Sequence, residues 1–154
     1  MFPNTKETVV LPIGAQEVIS LLKKVTLPVS RVLDKTTEGI MFNGSFAGDT
    51  FTISRKIDYP QNYLPLIKGR VEDTGIGSII FLEYELFFSS KMFLTFWSVL
   101  SVVASLFLLL LQGKANFAIA SIGIGLINYL VTLMNFKKQV KESKNVLLSA
   151  LKLE

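Results

Sequence analysis

Two uncharged runs on either side of Gly113-Lys114 constrain this chain more than any other feature. No Asp, Glu, Lys or Arg lies from Met92 to Gln112, and none from Ala115 to Phe136. A helix needs about 20 residues to cross the ~30 Å hydrocarbon core of a bilayer, and each run is about that long. The surface helix of a soluble domain carries charge on its outer face. The pattern therefore predicts a transmembrane helical hairpin over residues 91–136, with helices at 92–112 and 115–136.

The hairpin divides the rest of the 154 residues into a domain at 1–90 and a tail at 137–154. Ninety residues suffice for one small core. The chain has no cysteine and no histidine. That removes disulfides, thiolate metal sites, thiol nucleophiles and every Ser-His or Cys-His pairing. Neither catalytic residues nor a cofactor or metal site are expected.

Charge is unevenly distributed. Residues 1–91 carry ten Lys/Arg and ten Asp/Glu, whereas the tail holds Lys137, Lys138, Lys141, Lys144 and Lys152 against Glu142 and Glu154. The basic excess belongs to the segment beside the membrane, which points to anionic lipid headgroups rather than nucleic acid. The loop between the two apolar runs has only Lys114, so the positive-inside rule places both termini in the cytoplasm. The opening MFPNTKETVVLPIG lacks the apolar core of a secretory signal, so the hairpin is expected to be the first membrane-directing segment.

Before the hairpin the pattern is one helix and then strands. Thr8–Leu11 reads as a short strand. Val18, Leu21, Leu22 and Val25 recur at helical spacing and predict an amphipathic helix over Ala15–Val25, stopped by Pro28. Val29–Leu33 reads as a strand. Gly39–Ala47 and Thr50–Tyr59 alternate about Gly48-Asp49, a hairpin signal. Leu64–Asp73 and Ile76–Phe88 follow as two more strands. The expected class is α+β: a small antiparallel β-sheet or partly closed barrel with one N-terminal helix, mounted on the transmembrane hairpin. The tail, with Lys137, Lys141 and Lys144 opposite Val140, Leu147, Leu148 and Leu151, reads as a basic amphipathic helix lying on the membrane or packing back on the domain.

Three constellations stand out. Counting outward from Gly113, Ser105 matches Ser121 in depth, Ser101 matches Gly125 and Ser98 matches Asn128. With Thr132 these residues form a candidate helix–helix seam. The bland reading is packing within one chain; the sharper one is a homo-oligomeric seam or a polar pore lining. Second, Arg55 shares the apolar face of its strand with Phe51, Ile53 and Ile57 and needs a partner. Glu83 and Glu85 are the candidates, as a structural ion pair or, with Arg55, a ligand contact. Third, Lys56, Lys68 and Arg70 form a basic surface. Together with Lys137, Lys138, Lys141 and Lys144 they are candidates for headgroup contact. Gly75-Ile76-Gly77 is no phosphate loop, since no Lys-Ser/Thr follows it.

Phe42, Gly44, Gly48, Phe51, Ile53, Arg55, Ile57 and Tyr59 spell F-x-G-x-x-x-G-x-x-F-x-I-x-R-x-I-x-Y ahead of an apolar hairpin. In this the chain resembles a family of small bacterial membrane proteins, over residues 40–136. The resemblance implies a β domain before two membrane helices in the bacterial inner membrane, and implies no activity. The expected function is a non-enzymatic, membrane-anchored cytoplasmic module that binds a protein, a lipid or a small ligand. The alternative is a small membrane effector whose hairpin oligomerises into a pore.

Overall fold

The computed structural model describes residues 2–28, 39–57, 63–110 and 113–151. In chain order the elements are β1 (Asn4–Leu11), α1 (Ala15–Lys24), β2 (Thr26–Pro28), β3 (Phe42–Ala47), β4 (Thr50–Arg55), β5 (Pro65–Asp73), β6 (Ser78–Leu86), α2 (Phe88–Leu110) and α3 (Ala115–Ala150). The strands form one sheet in the order β1-β6-β5-β4-β3-β2. Neighbours pair antiparallel except β2 and β3, which run parallel. The α+β class is as expected. The sheet is mixed and open, ending in β1 and β2, and does not close into a barrel.

Alternation sets the two faces of the sheet, because successive side chains point to opposite sides. Phe42, Phe51, Ile53, Ile67, Val71, Ile80, Leu82 and Tyr84 point inward and are buried. Gly69 lies among them because the Phe51 ring crosses it: a Cβ there would fall 2.0 Å from the ring. Helix α1 covers part of this face with Val18, Ile19 and Leu22, all buried. Its first N–H, at Ala15, donates to Asp73 Oδ2 at the end of β5. Glu17 in its first turn and Lys23 and Lys24 in its last suit the helix dipole.

The rest of the inner face is covered by the second half of α3. Phe136, Val140, Leu147, Ala150 and Leu151 join the same core as the sheet and α1. Phe136 and Leu147 are almost wholly removed from solvent, and burying side chains of that size stabilises by about 1.5–3 kcal/mol each. The basic segment after Phe136 thus continues the second apolar helix and packs back on the domain.

Several boundaries differ from expectation: β3 starts at Phe42 and β6 at Ser78, each later than the alternation suggested. Strand β1 begins at Asn4 instead of Thr8. Its first residues, Asn-Thr-Lys-Glu-Thr, look like a loop. They are held by pairing with β6, where Lys6 stands opposite Glu83 and forms an ion pair with it. The last strand stops at Leu86, and α2 starts at Phe88 after the single residue Phe87. The strand expected over Thr50–Tyr59 ends at Arg55, with Lys56 and Ile57 outside it; the strand expected over 29–33 lies outside the described residues.

Candidate membrane anchor and its seat on the domain

Helices α2 and α3 are long and apolar enough to cross a membrane, by length and composition. The core helix of a soluble protein passes the same test but is mostly buried. Here the most apolar stretches of α2 and α3 are only 6% and 11% buried. Phe93, Phe107, Leu126 and Met134 all stand in the open. At the domain end of α2, Trp97 packs edge-on against Phe93 and Phe96. Tyr129 lies as far from Gly113 along α3 as Trp97 does along α2.

The two helices meet along the predicted side. Ser121 Oγ donates to the Ser101 carbonyl oxygen at 3.0 Å. A Cβ on Gly125 would lie 2.8 Å from Ser101 Oγ, so a glycine is what lets the backbones approach here. The other hydroxyls serve their own helices. Ser98 Oγ donates to Leu94, Ser101 Oγ to Trp97 and Thr132 Oγ1 to Asn128, each to a carbonyl four residues back. Thr132 is buried in the seam, and Ser105 and Asn128 are half-buried beside it.

Arg55 is on the inner face, as its strand pattern requires, but its partners come from α3. Its guanidinium donates to Gln139 Oε1 at 2.7 Å and to Glu142 Oε2 at 3.0 Å. Pairing with Glu83 or Glu85 does not occur, because both acids point to the outer face. Glu83 pairs with Lys6 at 3.2 Å, and Glu85 with Lys68 and Lys91, each at 2.8 Å. A second clasp joins Lys144 of α3 to Glu7 of β1. Helix α3 is therefore tied to the sheet on both flanks. Gln139, Glu142 and Glu7 were not singled out in the sequence. One signal was there: Glu142 is the first acid after the apolar runs, on a segment able to pack back on the domain.

The basic candidates separate according to their partners. Lys68 and Arg70 lie on the outer face, bound to Glu85 and Glu72, and Arg70 also stacks over the Phe81 ring. They line an open hollow of about 690 Å³ with Lys6, Thr8 and Thr52. The hydrogen bond to Lys68, and next that to Lys91, hold the Glu85 carboxyl below the usual carboxylate range. Glu85 in turn raises Lys68. Lys56 is half-buried just beyond β4, and Lys144 is taken by Glu7. Lys137, Lys138 and Lys141 are exposed where α3 leaves its apolar stretch.

Inside the domain, Tyr84 Oη and Ser143 Oγ are buried without a hydrogen-bond partner. Burial, and secondarily the charge of Glu7, push the Tyr84 hydroxyl well above the ordinary tyrosine value. Among the described residues, no group of three or more metal-ligating side chains comes together.

Fold and site together define a class: an open α+β sheet whose covering helix is continuous with an exposed apolar hairpin. Beyond that class the comparisons give little. No protein-family model matches the chain, and no curated protein does. The resemblance carried by Phe42–Tyr59 thus finds no counterpart there. Among solved structures the chain is similar to the solution NMR structure of the Polyketide_cyc-like protein Cgl2372 from Corynebacterium glutamicum. The identity is 12% and the TM-score 0.30, over 90% of this chain and 91% of that one. With so low a TM-score, nothing is carried over from that protein.

Proposed function

We propose that this protein is an integral membrane protein whose α2–α3 hairpin anchors a non-enzymatic binding module at the cytoplasmic face. The observation that carries the reading is the hairpin surface. It is uncharged all round and its large apolar side chains are exposed, with Lys114 the one charge at its tip and Lys91, Lys137 and Lys138 at the other end. Leaving that surface in water would be costly, since large contiguous apolar patches on soluble proteins are rare. Charge placement supports a tip outside and a domain inside. The seam supports an anchor rather than a pore lining, since the hydroxyls of Ser98, Ser101 and Thr132 are engaged by backbone carbonyls.

The test is topology. A cysteine at Gly113 should react in intact cells with a membrane-impermeant thiol reagent. Cysteines at Ser45 and Ser149, both exposed on the domain, should react only after permeabilisation. Reaction at Ser45 in intact cells would reverse the orientation, and equal reaction at all three sites in a soluble fraction would remove the membrane. Cysteines at Ser101 and Gly125 should crosslink within one chain. Crosslinks only between chains, with leakage from reconstituted liposomes, would replace the anchor with an oligomeric pore.

A further inference from the structure

Of the lysines near the hairpin, three on one side of α3 have no acidic partner among the described residues. Lys91 is held by Glu85 and Lys144 by Glu7. Among the described residues, no carboxylate pairs with Lys137, Lys138 or Lys141. Their direction follows from packing: Phe136 and Val140 are buried in the domain core, so at 3.6 residues per turn Lys138 and Lys141 project away from the core and Lys137 flanks it, all three exposed. Their height is fixed too. Lys137 directly follows the uncharged run, and Lys141 stands about 6 Å further along the helix at 1.5 Å per residue. The headgroup layer of one leaflet is roughly 5–8 Å deep, so all three ammonium groups fall within it.

We propose that Lys137, Lys138 and Lys141 form a binding face for anionic phospholipid headgroups of the cytoplasmic leaflet. The inference rests on the hairpin spanning the bilayer. The occupant follows from charge complementarity and from continuity with the apolar span: a lipid phosphate lies at that depth, beside a helix already bordered by acyl chains. Because the lysines share a rigid helix with Phe136 and Leu147, seating α3 on the sheet also holds them on one side. The next acid along the helix, Glu142, is bound to Arg55.

Trp97, the single tryptophan, is 41% exposed and lies on the domain side of the hairpin, so it can report which lipids border the anchor. The full chain is reconstituted in vesicles containing either brominated phosphatidylglycerol or brominated phosphatidylcholine, whose bromines quench tryptophan on contact. The wild type should prefer phosphatidylglycerol, by up to roughly fivefold per engaged lysine, and the preference should fall as salt is raised. Replacing all three lysines with glutamine should bring the ratio close to one, and replacing them with arginine should keep it. Lys68→Gln, on the outer face of the sheet, should leave it unchanged. An equal ratio for both lipids in the wild type, or a preference that survives the triple glutamine variant, overturns the headgroup face. No quenching by either lipid would show that the hairpin is not in the bilayer, and the anchor falls together with this inference.

Discussion

The two halves of helix α3 are built on opposite principles. From Ala115 to Asn135 the helix is uncharged on every side, yet Ile119, Ile124 and Met134 stand 65% exposed or more. From Phe136 to Ala150 it is charged and looks like a soluble helix, yet it supplies Phe136, Val140 and Leu147 to the core. The more hydrophobic half is the less buried one. Hydrophobicity therefore measures how much surface must leave water and does not say what will cover it. The second half is covered by its own sheet and needs a single stripe at i, i+4 and i+11. The first half needs no stripe, because lipid would cover it on all sides.

The largest expected effect tests that contrast inside one helix. Leu147→Ala should cost about 2–5 kcal/mol of domain stability, as for other buried leucines. Ile124→Ala, at a residue 65% exposed, should cost less than about 0.5 kcal/mol. Denaturant unfolding followed by circular dichroism in detergent measures both, and equal losses would show that the two halves are covered alike. Next comes the seam. Gly125→Leu must displace Ser101, since even a Cβ would lie 2.9 Å from its Cβ. Overpacking of this kind typically costs about 1–3 kcal/mol. The loss should appear as helix separation between labels at the two ends of the hairpin, with the sheet intact. Loss of the sheet signal instead would mean that the halves are energetically one unit.

Arg55→Ala probes the clasp between helix and sheet. The Arg55 side chain is 17% exposed and Glu142 39%. The pair is thus partly screened, and its removal should cost roughly 1–2 kcal/mol, nearer the value for charged hydrogen bonds than for a fully buried pair. A double-mutant cycle of Arg55→Ala with Glu142→Ala should show coupling between them. A cycle with Glu83→Ala in place of Glu142→Ala should be additive, and coupling there would restore the partner first suggested by the strand pattern.

That clasp also shows how far the sequence could be read. Alternation placed Arg55, Phe51 and Ile53 on one face correctly because period 2 is a local property of the strand. Sequence spacing likewise matched Ser101 with Gly125, because two antiparallel helices joined by only a few residues keep equal depths. What local pattern could not supply was the partner of Arg55. Glu142 lies 87 positions away on a helix interrupted by no glycine or proline after Gly125. The change from lipid-type to core-type composition at Phe136 looked like a segment boundary, while the backbone simply continues as helix. Strand β1 was half missed for a related reason: its first half is polar and is held by Lys6–Glu83 and Glu7–Lys144, and the partners that make it a strand are remote.

The smallest expected effect concerns the contact between α3 and the sheet at Tyr84. Its hydroxyl is buried without a hydrogen-bond partner, as is that of Ser143. Tyr84→Phe therefore removes a desolvated polar group and no bond, and at neutral pH it should leave stability unchanged or raise it by up to about 1 kcal/mol. The difference should grow with pH. Burial and Glu7 raise the Tyr84 value in the folded state, whereas in the unfolded chain the phenol ionises near 10. A raised folded-state value means stability that is fully present below the unfolded value and lost as pH rises toward the folded one. Wild type should thus lose stability above about pH 10 relative to Tyr84→Phe, while the lysines common to both titrate equally and cancel. Parallel pH profiles would show that the phenol reaches solvent, and a cost above about 1 kcal/mol at neutral pH would mean that it holds a partner across the α3 interface.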